Sequence, residues 1–402
     1  MTDTLSESTV TGDNADEARV RRLTEQLIAD HASADEVTFL GAQFDAGLAW
    51  VHWPVGHGGL GLAPAHQGTI DTMLEAAGCR YSWLRNPMGI GMVGPTIAAV
   101  GTEEQKTAYL RRIFTAEDVW WQLFSEPGAG SDVATLATRA VLDGDEWIVN
   151  GQKVWTSAAH LARWGMLLAR TNPDVPKHKG LTAFVLDMHA PGVEIRPLVQ
   201  MSGEAHFNEV YLTDVRVPHS AMLGELGRGW DAAVTTLMNE RVSIGGAVEA
   251  KGSGDIAAAV RAYQSRSDRT GAERDELMKL WTEAEVLRLG KVRAQQQREK
   301  GTPGPEGSIL KLHGALLGQR IYAFTVDLLG AEGMMNEAGY KPRNRDLDRD
   351  DPIVSFLAVQ SSTIAGGTSE IMRNILGERV LGLPAEPRND RDVPWTAIPR
   401  GA

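Results

Sequence analysis

The apolar positions of this chain change period twice. From about residue 17 to 118 they recur near every 3.6 residues, as at Ala18, Val20, Leu23 and Leu27, which predicts helices. Thr102 with Gln105 three residues later reads as a capping-box helix start, followed by Leu110 and Ile113 on one face. Between 119 and 225 the pattern shortens to strands. One spans 135–142 and closes on Asp143-Gly144; the next, Glu146–Val149, meets Asn150-Gly151, a strong hairpin signal. Further strands are predicted at Trp164–Ala169, Leu181–Leu186, Val193–Val199 and Phe207–Val217. From 226 onward long helical patterns return over Asp231–Gly246, Arg274–Arg298, Ser308–Gly330 and Glu370–Leu381. The Gly- and Pro-rich stretch 299–307 interrupts them, with Ser308 as the next N-cap. Residues 1–16 read as a disordered, solvated tail. The expected class is α+β: an N-terminal helical domain (17–118), a middle β-barrel or sandwich (119–225) and a C-terminal four-helix bundle (226–402), without internal repeats.

Composition narrows the function classes. The 402 residues carry 40 basic and 52 acidic side chains, a net charge of −12, and 43 % hydrophobic residues. That is enough apolar content for a large core, and the acidity argues against a general nucleic-acid coat. The single Cys79 excludes an internal disulfide and a CxxC metal or redox pair, which favours a reducing, cytoplasmic setting. The polar, acidic start lacks the character of a signal peptide. No apolar run reaches the roughly 18 residues of a spanning helix, so no membrane partner is expected. Thirty of the 40 basic residues are arginine, the better residue for forked contacts to phosphate or carboxylate. No metal site is expected.

Two segments carry the candidate chemistry. Phe124-Ser125-Glu126-Pro127-Gly128-Ala129-Gly130-Ser131-Asp132 lies where helices give way to strands. Its small residues expose backbone N–H groups between hydroxyls and carboxylates, which suits close approach of a flat, anionic ligand; a Gly-rich surface loop is the plain alternative. Trp155-Thr156-Ser157 sets an indole beside two hydroxyls, able to cover an aromatic ring and bond its edge, or simply to fill a core. By contrast, Gly56-His57-Gly58-Gly59-Leu60-Gly61 matches a dinucleotide fingerprint only in letters, because prolines flank it and no βαβ unit surrounds it.

Together, FSEPGAGSD and, about twenty residues on, NGQKVWTSA resemble the acyl-CoA dehydrogenase family of flavoproteins. Further matches lie at Ala49–Pro54 with the GHGGLG turn, at Gly94-Pro95-Thr96 with Gly101–Lys106, at Phe207–Tyr211 with Val215–Pro218, and at Ile364–Ile371 with Arg373–Arg379. The resemblance covers roughly 20–385 and implies an FAD-dependent enzyme that desaturates an acyl-CoA thioester and passes electrons to an electron-transfer flavoprotein. It implies that Gln122, Phe124, Ser125, Trp155, Thr156, Ser157, Gly330, Gly367, Thr368 and Glu370 meet FAD. It also implies that Ser131 and Arg241 meet the substrate, and that self-association or a homologous subunit completes the site.

Desaturation requires a carboxylate base at the α-carbon and donors to the thioester oxygen. Many family members carry glutamate where this chain has Gly366, whose backbone N–H remains available to that oxygen. A subset including isovaleryl-CoA dehydrogenase carries the base on an earlier helix; the matching residue is Glu240. Moving the base leaves room at Gly366 and Gly367 for branched or bulky acyl groups, such as a sterol side chain. The usual Arg-x-x-Phe-Gly segment is not evident between Arg261 and Glu273, and Asp327 stands where glutamine is expected near Gly330. Two rival expectations follow: a partner subunit with an incomplete flavin site in a mixed tetramer, or a related oxidase or carrier-protein-linked dehydrogenase.

Overall fold

The computed structural model describes residues 4–398 except 80, 82, 245–247, 300–303 and 336–350, with the backbone alone at 4–13, 83, 240–244, 298 and 299. The chain opens with five helices: α1 (Thr4–His31), α2 (Glu36–Asp45), α3 (Gln67–Ala76), α4 (Gly94–Val100) and α5 (Glu103–Thr115). Residues 4–16, expected as a disordered tail, form the first half of α1. Glu17 then docks the helix, pairing with Arg21 at 2.9 Å and His66 Nδ1 at 3.1 Å and accepting from Thr69 Oγ1 at 2.9 Å. Val20 and Leu27 bury against Ile70 and Leu74 of α3. The Thr102–Gln105 capping box forms in both directions at the start of α5.

Eight strands follow: β1 (Trp120–Leu123), β2 (Arg139–Asp143), β3 (Glu146–Ser157), β4 (Trp164–Arg170), β5 (Leu181–Asp187), β6 (Val193–Leu198), β7 (Phe207–Pro218) and β8 (Met222–Leu223). They make one mixed sheet in the order β6-β7-β3-β2-β4-β5-β8, with β1 parallel to β4. β2 and β4 share a single register pair, Arg139 with Arg170. The two halves of the sheet pack on each other across a core that holds Trp147, Val149, Leu167, Phe184, Leu212 and Val217. Trp147 meets Phe184 edge-on at 5.5 Å. The other face of β4 and β5 presents Met166, Leu168, Ala183 and Val185 to Trp53 of the α2–α3 connection, to Ile97, Leu110 and Ile113 of α4 and α5, and to Ala232 and Ala233 beyond the sheet. Burial on both faces explains why these two strands read as continuous apolar runs.

Asn150-Gly151 is not the expected hairpin. The tight turn lies at Asp143–Glu146, with Gly144 at φ +66°. Asn150 and Gly151 lie inside β3, where the register against β7 slips between Val149 and Gly151. Asn150 Nδ2 donates to Asp214 Oδ1 at 2.9 Å, and its Oδ1 accepts from Asp214 N at 3.0 Å, which holds Asp214 at φ +49°. Glycine is required at 151 because a Cβ there would meet Thr138 Oγ1 at 2.3 Å and Cα at 2.7 Å.

The rest of the chain is helical: α6 (Gly229–Ile244), α7 (Asp255–Ser265), α8 (Gly271–Glu299), α9 (Glu306–Leu329), α10 (Pro352–Val359) and α11 (Ser369–Asn374), the last continuing as a π-turn over Ile375–Val380. Helix α9 packs against α6, α7, α8, α10 and α11. It starts at Pro305-Glu306 rather than at Ser308, which lies buried inside the first turn. Proline's fixed φ favours that earlier start. Among the described residues no helix is long and apolar enough to cross a membrane.

Gly151→Ala is expected to destabilise the protein by about 1–3 kcal/mol through overpacking against Thr138. Urea unfolding measures it; an unchanged midpoint would contradict the close-approach account.

Candidate functional site

The 124–132 segment is a small hairpin held by a buried ion pair. Glu126 and Ala129 exchange both backbone bonds at 3.0 Å, leaving Pro127 and Gly128 at an exposed tip. No atom lies within 4 Å of where a Cβ would stand on Gly128 or Gly130, so backbone there is open to a ligand. Below the tip, the fully buried Lys153 Nζ donates to Phe124 O at 3.0 Å, Glu126 Oε1 at 2.9 Å and Leu168 O at 2.8 Å. Glu126 also accepts from the N–H groups of Ala137 (2.6 Å) and Thr138 (2.9 Å). Burial alone would raise the Glu126 carboxyl, but Lys153 and these donors hold it below the ordinary glutamate value.

β3 carries the second segment alongside. Val154 N–H donates to Ser125 O at 2.9 Å, which sets 155–157 next to the hairpin base. Trp155 adopts φ +60°, unusual for a bulky residue, and is 60 % exposed. Its ring meets Phe207 edge-on at 5.8 Å, and Phe207 packs on His206 at 4.1 Å. Gln200 Nε2 donates to His206 Nδ1 at 3.0 Å, and burial lowers the His206 pKa, so the ring is neutral at pH 7. Among the described residues nine buried side-chain polar atoms have no hydrogen-bond partner; seven are in the β domain, among them Gln122 Oε1 on β1 and Thr156 Oγ1 on β3. Orphaned buried groups are rare in folded proteins and mark places where a ligand can bond.

The C-terminal motif forms a separate cradle. Gly366 and Gly367 adopt φ +64° and +90°, and Lys311 Nζ of α9 donates to Gly367 O. Thr368 Oγ1 caps α11 by accepting from Ile371 N at 3.2 Å, while the buried Ser369 Oγ has no partner. Glu370 is exposed and pairs with Arg373 at 3.1 Å. Gly330 closes α9 as its C-cap, its N–H on Asp327 O. Glu240 and Arg241 lie on α6, one turn beyond Thr236, but their side chains lie outside the described residues. Thr236 anchors that helix through Thr96 Oγ1 at 2.9 Å and Met166 Sδ at 3.4 Å. A cleft of about 890 Å³ lies between Met201 after β6 and the α9–α10 face, lined by His313, Leu316, Arg320, Phe356 and Gln360. It contains none of residues 122–131.

Comparison with known proteins decides the family. Residues 15–117, 122–215 and 227–381 match the N-terminal, middle and C-terminal domains of acyl-CoA dehydrogenase. The chain belongs to the acyl-CoA dehydrogenase family. The acyl-CoA dehydrogenase FadE34 of Mycobacterium tuberculosis is 39 % identical over 92 % of this chain, and the chain spans half of that protein's length. Two solved structures are similar in fold. One, described as the Tcur3481-Tcur3483 steroid ACAD, gives a TM-score of 0.70 at 25 % identity over 92 % of this chain and 98 % of its own. The other, the ChsE4-ChsE5 complex from M. tuberculosis, gives 0.67 at 28 % over 92 % and 98 %.

Members of this acyl-CoA dehydrogenase family are flavoproteins, and the residues present suit a flavin. A flavin ring carries an N–H donor and carbonyl and ring-nitrogen acceptors along one edge, which complements Gln122 Oε1 and Thr156 Oγ1. The exposed indole of Trp155 offers it an apolar face.

Sequence reasoning missed the Lys153–Glu126 pair and a second buried cation, Lys177, which joins Asp132 to Asp390. Lysine in an inward slot of β3 was the available signal, but the register slip at 149–151 hides its parity.

Lys153→Met leaves Glu126 buried without its cation, so a loss of about 3–5 kcal/mol is expected, and less in the Lys153→Met/Glu126→Gln double variant. Because the folded Glu126 pKa is lowered, its contribution is complete above the ordinary value of 4.5 and is lost as pH falls through the lower folded value. Urea unfolding against pH checks both: Glu126→Gln is expected to flatten the acid limb, and an unflattened limb would refute the assignment.

Proposed function

We propose that this chain is an FAD-dependent acyl-CoA dehydrogenase that introduces an α,β double bond into a bulky acyl-CoA thioester, such as one carrying a steroid side chain. The observation that carries this is the open Glu126–Ala129 hairpin beside exposed Trp155, with Gln122 Oε1 and Thr156 Oγ1 buried and unpaired, in a chain matched along its length by the family. The likeness to a steroid ACAD supports the bulky acyl group, as does the small residue at Gly366 where many family members carry glutamate; Gly367 is packed against Met372.

FAD held at this site would supply hydride acceptance at the β-carbon. The protein supplies the rest. Glu240 on α6 takes the α-proton, and the Gly366 N–H donates to the thioester oxygen as enolate charge develops. Gln122, Phe124, Ser125, Trp155, Thr156 and Ser157 hold the flavin ring. Gly330, Gly367, Thr368 and Glu370 extend its site. Ser131 binds the CoA part of the substrate, and Arg241 binds substrate from α6. Helix α9 backs both α6 and the Gly366–Thr368 loop, which suits it to fix the base relative to the thioester. An electron-transfer flavoprotein would serve as the electron acceptor.

A second reading has its own support. The ChsE4-ChsE5 structure is a complex of two proteins, and this chain has Asp327 near Gly330 and lacks a clear Arg-x-x-Phe-Gly segment. A carboxylate there opposes a pyrophosphate. We therefore place the chain in an assembly, of itself or with a homologous subunit, in which the other chain supplies part of the FAD site.

Glu240→Gln is expected to keep the flavin absorbance of the wild type while turnover falls about 10²–10⁴-fold. Full turnover in a flavin-loaded variant would remove Glu240 as base. Flavin content measured with the chain alone and co-expressed with a homologous subunit separates the two assemblies. A full complement alone indicates self-association.

A further inference from the structure

Residues 386–398 return from the last helical turn to the β domain and fasten onto the far end of the 124–136 loop. Arg388 Nη2 lies 3.7 Å from Glu378 Oε2 at the departure point. The buried Lys177 Nζ then sits between Asp390 Oδ2 at 2.5 Å and Asp132 Oδ2 at 2.6 Å. Burial works against that ammonium, yet the two carboxylates hold its pKa above the ordinary lysine value.

Trp395 completes the attachment. It is buried, with the Arg170 guanidinium 4.4 Å over its ring, and its Nε1–H donates to Thr135 O at 2.9 Å. Its backbone N–H reaches Val175 O at 3.0 Å, and Thr396 N–H reaches Pro173 O at 3.2 Å. Arg170 in turn donates to Leu136 O at 3.0 Å and Ala134 O at 2.6 Å. The loop is therefore held by cations at both ends. Lys153 fixes Glu126 at one end, and Lys177 and Arg170 fix 132–136 at the other. Between them Pro127, Gly128, Gly130 and Ser131 stay exposed.

We propose that 386–398 is a clamp on this loop, and that Asp390 and Trp395 are positioning residues that set how tightly Ser131 and its neighbours hold the CoA part of the substrate. The proposal rests on the reading of Ser131 as a substrate-side residue. Neither Asp390 nor Trp395 touches the reacting atoms, so their effect belongs to binding rather than to the chemical step.

The test compares the full-length, flavin-loaded wild type with Asp390→Asn, Asp390→Glu and Trp395→Ala. Amide hydrogen exchange across 126–136 and the kcat and KM for an acyl-CoA ester are read on each. Asp390→Asn and Trp395→Ala are expected to speed exchange in 126–136 and raise KM about tenfold, with kcat within about twofold. Asp390→Glu is expected to recover most of both. Unchanged exchange overturns the clamp, and faster exchange with an unmoved KM overturns its role in binding. If no CoA ester binds the wild type, the reading of Ser131 fails, and exchange alone still decides whether the clamp exists.

Discussion

The site depends on a lysine ammonium that water does not reach. Lys153, on β3, uses its three donors on Phe124 O and Glu126 Oε1 of the loop before β2 and on Leu168 O of β4. Burying such a charge is costly unless every proton is bonded and a counter-charge is adjacent. Here both conditions hold, and meeting them fixes the loop before β2, the strand β3 and the strand β4 relative to one another. The exposed hairpin tip, the unpaired Gln122 and Thr156, and the outward Trp155 take their positions from that junction.

Much of the architecture was legible because its signals are local. The Thr102–Gln105 cap and the 3.6-residue pattern needed only their own helices. The doubly buried β4 and β5 announced themselves as apolar runs. What failed depended on distant partners. Asn150-Gly151 has hairpin chemistry, but Asp214 on β7 takes the asparagine amide and Thr138 crowds the glycine, so the pair forms a slip within a strand. The acidic 4–16 segment continues a helix whose docking contact, Glu17 to His66, joins residues 49 apart.

The candidate site was legible as motifs and not as an arrangement. Resemblance named Trp155, Thr156 and Gln122, and the structure sets their segments together by one backbone bond, Val154 to Ser125. It does not join Gly330 to them, since Gly330 caps α9. No sequence period reports Lys153, Lys177 or Arg170 as anchors, because each is a charged residue paired only through tertiary contacts.

On the proposed function, the loop built on Lys153 and Glu126 serves a flavin that oxidises an acyl thioester. Anaerobic titration of the flavin-loaded protein with acyl-CoA esters of increasing bulk tests it most directly, read as loss of the visible flavin absorbance. Bleaching is expected with an ester that carries a bulky, ring-bearing side chain, and weaker bleaching with short straight chains. Flavin that stays oxidised with every ester, in a protein that holds its full complement, would contradict it.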